Sequence, residues 1–167
     1  MIFAVPSVFD VALWFLDRAC IEDKFLPPQK LHRLLFLAQA IFAVEREGAK
    51  LMPAVFVAGH DGPVEPNIMR IFEHGRPKIM PEFMAEEVIE FLCGIWWRFA
   101  HLNMDHLNQR VSALSGFDQM IAAGKGSEIP MRTLYQTMKG TSPPRLGHGQ
   151  DGKQIQRWIP GVKSAKG

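Results

Sequence analysis

A chain of 167 residues, 47% hydrophobic and 22% charged, can bury one substantial core and is too short for a second independent domain. Its net charge of +2 is too small to argue for a nucleic-acid surface. No uncharged apolar run approaches the roughly 18 residues of a membrane span, and Met1-Ile2-Phe3-Ala4-Val5-Pro6 lacks the basic region of a signal peptide. Cys20 and Cys93 each stand alone inside apolar helical patterns, the pattern of buried free thiols in a reducing compartment, so a cytoplasmic protein without disulfide, metal or cofactor is expected.

Charge is unevenly spread: from Thr141 onward Arg145, Lys153, Arg157, Lys163 and Lys166 face only Asp151, which gives the tail +4 and the preceding 140 residues −2. In chain order, Ser7-x-x-Asp10 is a loose capping box for a first helix reaching about Lys24. Val8, Phe9, Ala12, Leu13, Phe15, Leu16, Ala19 and Cys20 share its core face, with Asp10 and Asp17 opposite. Trp14 and Ile21 fall off that stripe and read either as a second buried contact or as a partner-facing patch.

Pro27-Pro28 then open a second helix that closes at Gly48. Leu31, Leu34, Leu35, Leu37, Ala38, Ile41 and Phe42 cover one broad arc, His32, Gln39 and Arg46 line the other side, and Phe36 lies beside that polar stripe. A helix this apolar is expected at the centre of the fold, with several others packed around it. Leu51–Ala58 is β-branched and aromatic and reads as an extended segment or short edge strand. It leads into Gly59-His60-Asp61-Gly62-Pro63-Val64-Glu65-Pro66, where two glycines permit positive φ and two prolines lock the turn.

Pro66 sits at the first position of a short third helix. A fourth is expected to open at Pro81-Glu82, with Met84, Val88, Leu92, Ile95, Trp96 and Phe99 buried. Phe83 and Trp97, seven residues either side of Glu90, then stand on its acidic face and read either as a protein-binding patch or as surface covered by another element. Asn103 or Asp105 caps a fifth helix running to Gly124, and Ile129-Pro130 opens a last one through Met138. The expected architecture is mainly α: a single compact domain of about six helices with a short extended segment over residues 1–140, then a flexible basic tail over 141–167. Trp158-Ile159 forms an apolar island in that tail, either packing back on the body or serving as a docking motif.

Two stretches resemble one family. Lys30-Leu31-x-x-Leu34-Leu35-Phe36-x-Ala38-Gln39 is similar to the leucine-rich helix of the Panacea antitoxin domain, the family of SocA-type antitoxins and phage-associated GepA-like proteins. Gly62-Pro63-Val64-x-Pro66 is similar to the Gly-Pro-Val-x-Pro loop that follows that helix in the family, although Ala58, Gly59, His60 and Asp61 stand where the family carries aromatic residues. The likeness spans residues 8 to 138. It implies an antitoxin that binds and neutralises a cognate protein toxin. In the SocA branch it implies a proteolytic adaptor that delivers the toxin, an inhibitor acting on the DNA sliding clamp, to the ClpXP protease.

No phosphate-binding glycine loop, nucleophile triad, paired-cysteine motif or His-Glu-x-x-His occurs, so a non-enzymatic protein is expected. His101 and Asp105 would share a helix face only if one helix ran through Asn103. The competing readings are a small enzyme acting through His60 and Asp61, or a phage-associated regulatory protein; in the bland version of that loop Asp61 merely accepts backbone N–H bonds. An adaptor needs two surfaces, and the patterning offers Phe83, Glu90 and Trp97 for one and Trp158 with Ile159 for the other.

Overall fold

The computed structural model of the protein describes residues 2–114, 118, 122, 124–141, 146–148 and 154–156, the last two stretches and residue 141 by backbone alone. Six helices stand among these residues: α1 Val8–Ile21, α2 Pro28–Glu45, α3 Pro66–Phe72, α4 Glu86–Phe99, α5 Met104–Ser112 and α6 Met131–Thr141. Two short antiparallel ribbons accompany them, β1 Val57–Ala58 with β2 Pro63–Val64, and β3 Leu146–His148 with β4 Gln154–Gln156. The second ribbon lies within the tail, where the sequence pattern holds too little apolar surface to predict regular structure.

α2 is the axis of the fold, as its composition predicts. It packs against all five other helices and against β2. Leu34, Leu35, Phe36 and Leu37, four consecutive residues pointing in four directions, are all at most 1% exposed. Burial of each such side chain contributes about 1.5–3 kcal/mol, so the helix is held from every side rather than along one stripe. Phe36 meets Phe56 edge to face at 5.3 Å, and Phe42 meets Phe91 the same way at 5.1 Å. The helix ends at Glu45, and the left-handed residue after its C-cap Arg46 is Glu47 (φ +52°) rather than the glycine; Gly48, one residue on, takes φ +93° and donates to Ala43 O at 2.6 Å.

Local signals set most of the other ends. The Ser7 hydroxyl accepts from Phe9 N, and Asn103 Oδ1 accepts from His106 N. Because the chain breaks between α4 and α5, His101 and Asp105 do not share a helix. α5 ends at Ser112, well before Gly124. The extended segment contributes fully buried Leu51, Met52 and Phe56. Its β1 is not an edge: Ala58 N donates to Ser127 O on the side away from β2, and Ile129 N donates to Phe56 O.

Three further expectations need correction. α4 begins at Glu86, not Pro81: the residues before it form no regular structure and are tied to the body, Asp10 Oδ1 accepting from Glu82 N at 2.8 Å and Met84 being buried. Asp10 therefore lies inside rather than opposite the core, 3% exposed, and its Oδ2 has no protein partner. Cys20 is exposed, since α1 ends one residue beyond it; both cysteines are free.

Candidate functional site

The residues of the two motifs converge on one polar seam beside α2. His32 and Gln39, which the helical wheel sets on a polar stripe, are buried, and so is Arg33, which the pattern does not single out. Gln39 grips the backbone of the extended segment twice: its Nε2 donates to Met52 O at 3.0 Å and its Oε1 accepts from Met52 N at 3.2 Å. This clamp holds α2 against the segment that carries the loop.

Arg33 is 2% exposed and organises the loop itself. Its Nε donates to Asn108 Oδ1 at 3.0 Å, one terminal nitrogen donates to Pro63 O at 3.2 Å, and the other donates to Asp61 O. A planar fork of fixed donors suits this task better than a lysine could. Among the described residues no carboxylate forms an ion pair with it. Burial pulls its pKa down, an effect partly opposed by the charge of Asp61. Gly62 makes the approach possible: it holds φ +137°, and a Cβ there would stand 2.7 Å from the guanidinium carbon. Asn108, one turn from the end of α5, joins that helix to the seam.

His32 and Glu65 complete it. The Glu65 backbone N–H donates to His32 Nδ1 at 3.2 Å, while the fully buried Glu65 carboxylate caps α3 by accepting from Ile68 N at 2.7 Å and Asn67 Nδ2 at 3.1 Å. Burial, reinforced by the charge of Arg33, lowers the His32 pKa to about 4. The ring is therefore neutral at neutral pH, and with Nδ1 accepting, its proton sits on Nε2.

The exposed pair His60 and Asp61 stands outside this seam. His60 Nδ1 and Asp61 Oδ1 lie 2.7 Å apart with both side chains largely exposed, and the hydrogen bond to His60 followed by its charge holds the Asp61 carboxyl below its usual range. Asp61 meets Arg33 through its backbone carbonyl, so the loop is organised by main-chain contacts and leaves the two side chains to solvent.

The proposed partner-binding residues are divided. Trp97 and Glu90 are exposed on α4 two turns apart and share a face. Phe83, 93% exposed, precedes the N-cap Ala85 and lies off the helix, so the even seven-residue spacing of the three does not describe one helical face. Trp158 and Ile159 lie outside the described residues. Trp97 instead has an α1 neighbour, the Arg18 guanidinium 5.6 Å from its ring centre. Arg18 also pairs with Glu22, which accepts from the indole N–H of buried Trp96 at 2.9 Å. Ile21, three residues beyond Arg18 on α1, is 78% exposed. The off-stripe position of Ile21 in the sequence is the signal that anticipates this patch.

No helix among the described residues is long and apolar enough to cross a membrane. Comparison with protein-family models, with curated proteins and with solved structures found no match.

Proposed function

We propose that the chain is an antitoxin that binds and neutralises a cognate protein toxin, and that it does so as an adaptor passing the toxin to ClpXP. The observation that carries this reading is Trp97. Beside buried Trp96, it stands 64% exposed, with Arg18 over its ring and Ile21 on the same face of α1. Trp and Arg are the side chains most enriched among binding hot spots, and an exposed indole against an arginine, with an exposed isoleucine three residues from that arginine on α1, is surface that a partner can desolvate. The likeness of the Lys30–Gln39 helix and the Gly62–Pro66 loop to the Panacea domain supplies the kind of partner.

The test is co-expression with the product of the adjoining gene. Trp97→Ala is expected to weaken toxin binding by at least about tenfold, within the range of hot-spot truncations, and to abolish growth rescue while helicity and urea midpoint stay near wild type. Trp158→Ala is expected to preserve binding and slow degradation of the toxin by ClpXP. Binding and rescue that survive Trp97→Ala and Ile21→Ser together would overturn the assignment of this face, and failure of any toxin to associate would overturn the function.

A further inference from the structure

A groove of about 870 Å³ runs between α1, the α1–α2 connection, the start of α2 and α3. Leu16, Leu26 and Leu31 form one wall, and Ile68, Met69 and Phe72 form the other. Phe25, 86% exposed, and Met69, 56% exposed, stand at its lips. Small-molecule sites are clefts of about 300–1,000 Å³ with apolar walls and a few placed polar groups, and this groove falls within that range. It lies on α1, α2 and α3, and Trp97 is not part of its lining.

The polar group is His32. It lines the groove, is 5% exposed, and has Nδ1 occupied by the Glu65 backbone N–H. Among the described residues its Nε2–H has no acceptor, and the ring borders the groove. A buried donor facing an apolar cleft is a specific demand for an acceptor. The charges flanking it restrict what that acceptor can be. Arg33, the next residue on α2, disfavours a cation, and the Glu65 carboxylate, behind the hydrogen-bonded turn, disfavours an anion.

We propose that this groove binds an uncharged amphiphile, an aliphatic chain ending in an amide or other carbonyl group, with the chain between the leucine and α3 walls and the carbonyl oxygen accepting from His32 Nε2–H. At the rim, exposed Arg70 and Glu73 carry opposite charges and Arg76 is paired with Asp17, so the lining adds no net charge to the groove.

The experiment uses the full chain and three probes of equal chain length: octanamide, octanoate and octylammonium. Binding is followed by ¹H–¹⁵N spectra of the backbone and of the His32 imidazole. Octanamide is expected to shift Leu31, His32, Met69 and Phe72 and to bind at least fivefold more tightly than either charged probe. His32→Asn places an amide oxygen where Nδ1 accepts from Glu65 and removes the Nε2 donor; it is expected to weaken octanamide by about fivefold, the loss of one neutral hydrogen bond. Met69→Lys changes an exposed lip residue, leaves the fold intact, and is expected to abolish binding. Equal affinity of octanamide for wild type and His32→Asn, equal affinity of the three probes for wild type, or shifts that map away from α2 and α3 would each overturn the proposal.

Discussion

The buried histidine makes the stability of this protein depend on pH in a calculable way. Folding lowers the His32 pKa from 6.5 to about 4, so between those values the unfolded chain holds a proton that the folded chain does not. Stability therefore rises with pH across this window: the contribution is fully present above about pH 6.5 and is lost as pH falls toward 4. A shift of about 2.5 units corresponds to about 3 kcal/mol, with a steepest slope near 1.4 kcal/mol per pH unit. That is a large fraction of the 5–15 kcal/mol typical of a domain. Urea unfolding followed by tryptophan fluorescence at fixed pH values from 7.5 to 4 reads it directly. The carboxylate of Asp61, whose pKa is lowered, adds its own loss at the acid end, so the comparison is with His32→Asn, which keeps the acceptor for Glu65 N–H and cannot titrate. Wild type is expected to lose about 3 kcal/mol more than the variant over this range. Parallel profiles, or an NMR titration of the His32 ring with a midpoint near 6.5, would refute the argument that burial beside Arg33 keeps this ring neutral.

Further substitutions at Gly62, Gly75 and Asp10 probe the seam and the strap that precedes α4. Gly62→Ala introduces a Cβ 2.7 Å from the Arg33 guanidinium carbon at a φ of +137°, and should destabilise by about 3 kcal/mol in urea unfolding; Gly75→Ala, at φ +98° with nothing within 4 Å, carries only the conformational penalty of about 1 kcal/mol, and equal effects at the two sites would contradict the close-approach argument. Asp10→Asn retains an oxygen for Glu82 N–H and removes a buried charge whose second oxygen has no protein partner, so it should be neutral or stabilising, whereas Asp10→Ala should destabilise by about 1–2 kcal/mol; thermal denaturation of both variants distinguishes this from a carboxylate that stabilises through its charge.

What the sequence alone determined is the set of features carried by local chemistry. The prolines at positions 27 and 28, Gly48, Ser7, Asn103 and Pro66 mark helix ends because each satisfies or forgoes a terminal hydrogen bond within its own few residues. The apolar content of α2 announces a central helix, and the glycines and prolines of 59–66 announce a constrained loop. Where the polar residues go depends instead on long-range packing. A helical wheel assigns Asp10, His32 and Gln39 to the side away from the core, on the premise that polar means solvent. Their partners lie at Glu82, Glu65 and Met52, separations of 72, 33 and 13 residues, and no local period carries that information. The same long-range contact ties Glu82 N–H to the Asp10 side chain on α1, and α4 starts past Phe83, at Glu86. Burial of a polar group is decided by whether a partner arrives, and only the folded chain delivers one.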